Sequence, residues 1–499
     1  MKMKLPSPIT ILFFVIIFAY ACTWLIPAGK YHTLSYTKGS NEFAYTGGEF
    51  SKVLPFSQAT LDSLHILIPL KSFESGAIRK PVSVPGSYER IKSARANPLQ
   101  ILLAPVKGVL DSIDVILFVL FIGGFMQIFN QSGAMVAALK GLTRRMHGRE
   151  SWLIILLTFL FSFGGASYGM AEEGLVFYAV MIPLFLKAGY DLLVPVAVIF
   201  GGTQLGTLAS FTNPFSTIIA SNAAGVNWTD GLNMRLAIFV ITTITFIWYI
   251  TRYANKVKRN PGASLVFKID GDVLPATLPS ENETGSGLSG KMVNIVVAVF
   301  VITFLVMIGG VVFFDWWLVE MTTLFLGAAI LMGFLLKMKE EDWVNQFIEG
   351  CKGMIAVGLI IGTARGVSIL LDEGQIADSI IYGAAQLTQS MPPSIFIILM
   401  MFLFMVFTLF ISSSSGMAVL TMPIMGSLAT LVDVPGREIV NAYLFGMGVM
   451  GFLTPTGLIL PSLAMVNISF KTWLKFIMPF LGILLIICGF ALLAGLFFF

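Results

Sequence analysis

Charge is scarce in this chain of 499 residues. Only 12% of the residues are charged, about half the level of a soluble globular protein, while 56% are apolar. The 31 basic and 27 acidic residues nearly cancel, so no strong charge of one sign indicates a nucleic-acid partner. The composition excludes an ordinary soluble protein and predicts a polytopic membrane protein surrounded by a lipid bilayer.

Cysteine and histidine are also scarce. Three cysteines, with Cys22 and Cys488 inside apolar runs, exclude a disulfide framework, and three scattered histidines argue against a metal site built from His. The sequence has no Walker motif for ATP-driven pumping, and no nucleophile–base pair or metal cluster for catalysis. We therefore predict no catalytic residues, no metal and no cofactor.

Two uncharged stretches are too long for one simple membrane crossing. The stretch 192–229 would extend about 57 Å as a single helix, against a hydrocarbon core of about 30 Å. Its middle reads FTNPFST, and a helix should break at Asn213-Pro214. The stretch 379–432 has FISSSSGMA at its middle, a polar kink between apolar arms. Backbone turns at membrane depth only where protein or enclosed water satisfies it, so both breaks are candidate sites.

The two halves of the chain align when one is shifted by 241 residues. FTNPFSTIIASNAA at 211–224 lies on FLTPTGLILPSLAM at 452–465 with five identities in fourteen positions. Basic residues place the short loop 139–150 inside, and alternation then gives the two copies opposite orientations. Inverted repeats with paired broken helices indicate a secondary transporter with a site near the midplane. The alternative is a set of ordinary kinks in bundle helices.

The predicted architecture is an all-α polytopic membrane protein with an inverted repeat and about nine full crossings. Its amino terminus is expected inside and its carboxyl terminus outside. Crossings are expected near 9–27, 113–130, 193–224, 233–251, 292–314, 317–337, 353–371, 438–466 and 474–497. The predicted segments are a first transmembrane helix (1–29), an extracytoplasmic insert (30–97), repeat 1 (98–252, with hairpin 1 at 151–188 and broken helix 1 at 193–224), a cytoplasmic linker (253–291), scaffold helices (292–338) and repeat 2 (339–499, with hairpin 2 at 393–431 and broken helix 2 at 438–466).

Several strings carry a resemblance to a known family. APVKGVLDSIDVILFVLFIGGFMQIFNQSGA (104–134), GCKGMIAVGLIIGTARGVSILLDEGQI (350–376), FGGASYGMAEEG (163–174) and FLTPTGLILPSLAM resemble the YfcC-type branch of the C4-dicarboxylate anaerobic carrier family. The resemblance covers nearly the whole chain. It implies a bacterial inner-membrane carrier, usually a homodimer, whose transport domain with two re-entrant hairpins moves like an elevator against a scaffold.

The same resemblance leaves the substrate open, because the branch is described both as dicarboxylate carriers and as basic amino-acid antiporters. Sodium-coupled dicarboxylate relatives carry Ser-Asn-Thr at their hairpin tips. Here the corresponding tips read GASYG (tip 1, 165–169) and SSSSG (tip 2, 412–416). The coupling ion, H+ or Na+, also stays open.

Hydroxyls and small residues at the two tips are the first candidates for substrate binding. Four serines precede the second arm of hairpin 2, whose amino end offers free N–H groups and positive partial charge to a carboxylate. One serine could instead cap that arm. In the first hairpin, the matching candidates are Gly164, Gly165, Ser167 and Gly169, although small residues there could instead permit close helix packing. The tip 2 candidates are Ser412, Ser413, Ser414 and Ser415.

Polar residues beside the helix breaks are the second set of candidates. Thr212 and Asn213 border the break in broken helix 1, and Thr454 and Thr456 border the break in broken helix 2. Freed carbonyls and side-chain oxygens there could hold substrate or a cation. A proline kink healed by neighbouring hydroxyls is the alternative.

Three charged residues stand out in apolar surroundings. Glu172 and Glu173 follow tip 1 and could accept a coupling proton or pair with a substrate ammonium group; they could also complement a helix amino end. Arg365 could pair with Glu172, Glu173 or Asp111, or bind a substrate carboxylate, and a structural ion pair is the favoured role.

The sequence thus predicts a secondary active transporter for a small carboxylate-bearing metabolite. An amino acid, with exchange as one mode of transport, is slightly favoured over a C4-dicarboxylate, because Glu172 or Glu173 offers an acid for an ammonium group. A gated channel or a membrane sensor for the same ligands is the alternative.

Overall fold

A computed structural model gives the fold. It describes residues 8–37, 40–47, 50–74, 78, 81–91, 97–134, 151–271, 290–314, 316, 318–388, 391–411 and 413–498. The described chain is mostly helical. The basic loop 139–150, most of the predicted linker and Ser412 lie outside the described residues.

Seven helices in the described ranges are long and apolar enough to cross a membrane. The fold is therefore that of a multi-pass membrane protein, as predicted, whereas the number of crossings stays a prediction. The seven helices are Pro8–Leu25, Ile113–Gln131, Leu232–Arg259, Leu318–Leu335, Glu340–Glu373, Ser414–Leu431 and Phe470–Phe497.

Helices end and restart inside both predicted hairpins and both predicted broken helices. Each half of the chain has the same order of elements: a long helix, a hairpin, a broken helix and a further long helix. Re-entry and inversion stay predictions. Hairpin 1 contains helices Ser151–Ser167, Glu172–Phe177 (a 3-10 helix) and Tyr178–Lys187, and hairpin 2 contains Pro393–Phe410 and Ser414–Leu431. Broken helix 1 contains Leu193–Leu208, with a π-helical turn at Ala197–Gly201, then Pro214–Ile218 (π) and Ile219–Ala223; broken helix 2 contains Gly436–Gly451 and Ile459–Val466.

The helices pack in two groups. In the first, which we call the scaffold group, Glu340–Glu373 is the central helix, and Pro8–Leu25, Gln100–Asp111 and Ile113–Gln131 pack on it. Leu318–Leu335 packs on Ile113–Gln131, and Gly290–Phe314 packs on Leu318–Leu335. The second, the hairpin group, contains both hairpins, both broken helices, Leu232–Arg259 and Phe470–Phe498.

The charge pattern delimits some helices too narrowly. The crossing expected at 353–371 belongs to the helix Glu340–Glu373, which begins thirteen residues earlier with the polar sequence EEDWVNQFIEG. Gln100–Asp111 and Ala377–Thr388 were not predicted as separate helices. A stretch without charge indicates only the apolar part of a helix. A polar extension of a helix, or a short amphipathic helix, is therefore not predicted from the charge pattern.

The all-α expectation is wrong for the insert. Four antiparallel strands form a sheet in the order Ser51–Pro55, Glu42–Thr46, Thr33–Tyr36, Val82–Ser83, and a further pair joins Gly29–Lys30 to Glu89–Arg90. Leu34, Phe43 and Phe73 are buried in the small core of the insert. Strands of two to five residues carry too few alternations for a sequence pattern to indicate them.

The insert contacts both helix groups. Next to the end of the central scaffold helix, the Gly29 N–H donates to the Gln375 carbonyl oxygen (3.0 Å). On the short helix Ala377–Thr388, which packs on hairpin 2, Asp378 Oδ2 accepts from the Tyr31 N–H (2.9 Å) and Ser379 Oγ bonds the Tyr88 hydroxyl (2.9 Å). Burial raises the pKa of the Asp378 carboxyl. The hydrogen bond from Tyr31 and the positive charge of Lys30 lower this pKa, but their effects are smaller than that of burial. On the hairpin side, strand Val82–Ser83 packs against Ser414–Leu431. The insert therefore spans the boundary between the groups.

Tyr88 should be the main anchor of the insert. Its ring stacks on Tyr382 with centroids 4.1 Å apart, in addition to the bond with Ser379. We expect Tyr88→Ala to lower the free energy of unfolding by about 2 kcal/mol, because it removes both contacts. Tyr88→Phe keeps the stack and should lose about half of that. Thermal unfolding of the purified protein measures both, and a Tyr88→Ala protein as stable as the parent would contradict this role.

Candidate functional site

Asn213 ties broken helix 1 to hairpin 1. Its Nδ2 donates to the Gly165 carbonyl oxygen at 3.1 Å, while its Oδ1 accepts from the Phe215 N–H at 2.8 Å and the Ser216 N–H at 3.3 Å. The side chain is buried. Asn213 therefore caps the helix that restarts at Pro214 and also holds it against tip 1.

Tip 1 approaches this break with its backbone. The Thr212 hydroxyl donates to the Ser167 carbonyl oxygen at 2.9 Å, and the Ser167 hydroxyl donates to the Phe163 carbonyl oxygen at 2.6 Å. Gly169 has φ +86°, and a Cβ there would lie 2.7 Å from Asn213 Oδ1. Conformation and space therefore both require glycine at this position.

The helix packing considered for the small residues of tip 1 is present. A Cβ on Gly165 would lie 2.3 Å from the Thr203 carbonyl oxygen, so this glycine lets hairpin 1 and broken helix 1 meet backbone to backbone. The Gly165 carbonyl oxygen also accepts the Asn213 bond. Close packing and the polar contact thus use the same residue.

A buried hydroxyl cluster beside Asn213 was missed by the sequence analysis. Ser210 Oγ lies 2.6 Å from Thr217 Oγ1 and 3.2 Å from Ser216 Oγ, and the Thr217 hydroxyl also donates to the Ser210 carbonyl oxygen. All three side chains are buried. Ser216 and Thr217 stand in the string FTNPFST, so the hydroxyls that follow Asn213-Pro214 were an available signal.

In tip 2, Ser413 caps the helix Ser414–Leu431. Its Oγ accepts from the Gly416 N–H at 3.1 Å and lies 3.4 Å from Ser415 Oγ. The Ser414 hydroxyl donates to the Phe215 carbonyl oxygen at 3.4 Å, which brings tip 2 to the break of broken helix 1. Ser413, Ser414 and Ser415 are half-buried. One serine thus caps, and two further hydroxyls stand at the amino end of an 18-residue helix.

Tyr443 holds tip 2 from the side of broken helix 2. Its ring is fully buried, and its hydroxyl donates to the Ser414 carbonyl oxygen at 2.8 Å. Gln204 Nε2 makes a second link, to the Gly448 carbonyl oxygen at 3.0 Å, between the two broken helices. No sequence signal indicated Tyr443, because its contact joins elements 29 residues apart.

At the second break, the two predicted threonines contact each other. Thr454 Oγ1 and Thr456 Oγ1 lie 2.8 Å apart, and both side chains are buried. The indole of Trp473 donates to the Phe452 carbonyl oxygen at 2.9 Å, which satisfies one carbonyl freed where Gly436–Gly451 ends. Some of the polar groups at this break are thus hydrogen-bonded within the protein.

Glu172 and Glu173 lie in the first turn of the 3-10 helix Glu172–Phe177, which packs on the scaffold helix Ile113–Gln131. Glu173 is buried, and its carboxylate accepts from the Ala171 N–H at 2.9 Å. Glu172 is within electrostatic range of Glu173 and Asp114. The acids therefore stand at the boundary between the scaffold group and the hairpin group.

Arg365 forms an ion pair with Asp111 within the scaffold group, on the neighbouring helix Gln100–Asp111. Both side chains are partly exposed, 39% and 45%. Asp111 was one of the three partners considered for this arginine. The pair connects two packed helices of the scaffold group, so the charge of Arg365 is already balanced.

The structure brings tip 1, the break in broken helix 1 and tip 2 together through Asn213, Thr212 and Ser414. Thr454 and Thr456 belong to a separate break, joined to this centre through the helix that carries Tyr443. Glu172 and Glu173 stand where hairpin 1 meets the scaffold group, and Arg365 lies within the scaffold group.

Long apolar helices and interruptions with polar linings define a multi-pass membrane transporter. A family model described as "C4-dicarboxylate anaerobic carrier" matches residues 5–496, and the chain belongs to this family. The family is one of carriers rather than enzymes.

Two relatives match nearly the full length of the chain. A Haemophilus influenzae protein of uncharacterised function is 36% identical over 483 residues, which cover 97% of this chain and 95% of the relative. An Escherichia coli protein named "Putative basic amino acid antiporter YfcC" is 28% identical over 507 residues, with the same coverage.

Two solved structures also align with the chain. MtrF of Neisseria gonorrhoeae, described as one of a class of antimetabolite efflux pumps, gives 15% identity and a TM-score of 0.39 over 100% of this chain and 96% of its own. The YdaH transporter of Alcanivorax borkumensis is 13% identical, with a TM-score of 0.37. The alignment covers 98% of this chain and 97% of that transporter.

Proposed function

We propose that this protein is a secondary active transporter of the bacterial inner membrane that moves a small carboxylate-bearing metabolite, an amino acid rather than a C4-dicarboxylate. The observation that carries the proposal is the meeting of tip 2 with broken helix 1, through Ser414 and the Phe215 carbonyl oxygen, with Tyr443 supporting tip 2 from behind.

The substrate carboxylate binds at tip 2. Ser413, Ser414 and Ser415 present half-buried hydroxyls at the amino end of Ser414–Leu431, where the helix dipole favours negative charge. Asn213 and the turn of tip 1 form the facing wall. Thr454 and Thr456 support the second break.

Charge favours an amino acid over a dicarboxylate. A second carboxylate would need a second cation, and Arg365, the cation that the sequence offered, is paired with Asp111. The name of the Escherichia coli relative points the same way, whereas the family description names C4-dicarboxylates.

Glu172 carries the coupling proton in this proposal. It stands beside Asp114 and Glu173 where hairpin 1 meets the scaffold, so the occupancy of its proton can influence how the two groups pack. The hairpin group then moves as an elevator against the scaffold group, in a homodimer, with the amino terminus inside and the carboxyl terminus outside.

Flux into liposomes tests this function. The purified protein should exchange external labelled amino acid for internal amino acid, and a pH gradient should drive accumulation. We expect Glu172→Gln to lower proton-driven accumulation at least about tenfold, equivalent to about 1.4 kcal/mol, and to leave exchange within about threefold.

Two outcomes would contradict the proposal. Conductance without counterflow would indicate a channel, and binding without flux a sensor. Lys352→Gln, which changes an exposed scaffold residue paired with Glu349, is the control and should leave both readouts unchanged.

A further inference from the structure

An open groove of about 490 Å³ lies on the surface of the hairpin group, between the packed helices Ser151–Ser167 and Leu232–Arg259. Ile155 lines it from the first helix, and the second helix supplies the rest of its described lining. Large apolar side chains beside the groove, such as Leu156 and Ile241, are exposed. Because the protein spans a membrane, a surface of this kind faces lipid, and the groove opens to the bilayer.

The groove is apolar at one end and polar at the other. Ile244 lies at the apolar end, and Asn255 at the polar end stands eleven residues further along the helix, or about 16 Å. The Ser151 hydroxyl donates to Asn255 Oδ1 at 3.2 Å, so the start of one helix meets the end of the other. Thr251 Oγ1 lines the groove, is shielded from water and has no hydrogen-bond partner among the described residues. An elongated ligand with an apolar chain and a polar end matches this lining.

Two exposed tryptophans place the polar end at the surface of the membrane. Trp152 is the second residue of its helix and is 63% exposed, and Trp248, in the lining of the groove, is 54% exposed. Indole rings concentrate where the hydrocarbon core meets the headgroups, because they combine an apolar body with an N–H donor. The polar end of the groove is therefore at headgroup depth.

The charge at this end is of one sign. Arg252 lines the groove, with its guanidinium carbon 5.4 Å from the centroid of the Trp248 ring, and Lys256 and Arg259 follow on the same face of the helix. Neither helix contains an acidic residue. The negative end of a helix dipole accounts for cations in the last turn, but Arg252 stands seven residues before the last residue of its helix.

Arg252 has donors left for a ligand. None of the acidic side chains in the described ranges pairs with it. An arginine stacked on an aromatic ring keeps its N–H groups in the plane of the guanidinium, where they bind phosphate. A phosphate at this depth of a bilayer belongs to a lipid headgroup.

We propose that this groove binds an anionic phospholipid, with its phosphate at Arg252 and Lys256, its glycerol oxygens at Thr251 and one acyl chain along Ile155 and Ile244. In the predicted orientation the lipid comes from the inner leaflet. Basic pockets between membrane helices favour anionic headgroups, whereas a zwitterionic headgroup brings an ammonium group against the same cations. The inference goes beyond the proposed function and needs only that the protein spans a bilayer.

Native mass spectrometry of the purified full-length protein tests the charge preference. Phosphatidylglycerol and phosphatidylcholine with the same acyl chains are added in equal amounts. We expect the parent protein to retain phosphatidylglycerol, and the double variant Arg252→Gln with Lys256→Gln to bind it about 30-fold more weakly, since each basic residue contributes roughly fivefold. Binding of phosphatidylcholine should change by less than about twofold.

The control for charge is Lys475→Gln. It removes an exposed basic residue at the start of Phe470–Phe498, outside the groove, and should leave the preference unchanged. Arg252→Gln alone changes one exposed side chain and should weaken phosphatidylglycerol about fivefold in a protein that unfolds at the parent temperature. Equal retention of the two lipids by the parent, or an unchanged preference in the double variant, would overturn the proposal.

A filling variant tests the location. Ile155→Trp keeps every charge and should weaken phosphatidylglycerol at least about tenfold, because the indole displaces about two methylene groups of the acyl chain. Val240→Trp, at an exposed position of the same membrane helix outside the lining, is its control. Displacement of the lipid by inorganic phosphate, with Ile155→Trp unchanged, would indicate a phosphate site without an acyl-chain groove and overturn the inference. A parent dimer that retains no lipid and dissociates in Ile155→Trp would assign this face to a second copy of the chain, with the same consequence.

Discussion

Replacing Asn213 by alanine is expected to lower uptake by more than about 100-fold. The variant removes the cap of the helix that restarts at Pro214 and the bond that holds this break to the Gly165 carbonyl oxygen. Loss of a cap costs about 1 kcal/mol, and a site displaced by about 1 Å loses about 100-fold in rate. Initial rates of amino acid exchange in liposomes, normalised to folded protein, measure the effect.

Two further variants identify the cause of that loss. Asn213→Ser keeps a capping oxygen but is too short to reach Gly165, so it should retain stability and still lose most transport. Asn222→Ala changes a half-buried asparagine in the same half-helix and should stay within about twofold of the parent. Full transport by Asn213→Ser would show that capping alone is required.

Glu438→Ala should have the largest effect on stability. The carboxylate is fully buried and accepts hydrogen bonds from Arg437 Nε (3.3 Å) and Asn441 Nδ2 (3.1 Å). The guanidinium of Arg235, also fully buried, is within electrostatic range and donates to the carbonyl oxygens of Trp228 and Asp230. Removing the carboxylate takes away the stronger of the two acidic charges that act on this buried cation, the other being Asp230, and loss of one partner of a buried ion pair costs about 3–5 kcal/mol.

Unfolding of the purified protein measures this loss. Glu438→Gln keeps an acceptor for Asn441 and should be less severe, and the double variant Arg235→Met with Glu438→Met should recover much of the stability because neither charge remains. Glu341→Ala, at an exposed position, should change stability by less than about 0.5 kcal/mol. A loss below about 1 kcal/mol in Glu438→Ala would show that water already solvates this cluster.

The insert borders a cavity of about 280 Å³, whose other lining residues come from Glu340–Glu373, Ala377–Thr388 and hairpin 2. Thr33 and Pro81 of the insert line the cavity, and the insert holds Ala377–Thr388 through Tyr88 while it packs on Ser414–Leu431.

Helix interruptions were the most predictable part of the structure. Uncharged stretches longer than one crossing, with Asn213-Pro214 in one and the serines of tip 2 in the other, located the interruption at 209–213 and the one between the helix that ends at Phe410 and the helix that begins at Ser414. Proline restricts the residue before it and removes an N–H, and serine caps helices, so these breaks are local properties of the chain. The small strands of the insert lacked any comparable local signal.

The choice of partners was not predictable. Arg365 had three candidate acids in the sequence, and only the packing of Gln100–Asp111 against Glu340–Glu373 selects Asp111. In the sequence, Glu438 only marks the edge of an uncharged stretch. The fold places it within electrostatic range of Arg235. Charge at a sequence position shows that a partner is needed, but several elements compete to supply it.

The sequence by itself determined the class of protein, the presence of long membrane helices and the interruptions at Asn213-Pro214 and in tip 2, because each depends on composition or on the conformational limits of neighbouring residues. Only the tertiary structure decided which hydroxyl meets which carbonyl, how Tyr443 supports tip 2, and that scaffold, hairpin 2 and insert enclose a common cavity. These contacts join segments tens to hundreds of residues apart, and their geometry depends on how whole helices pack.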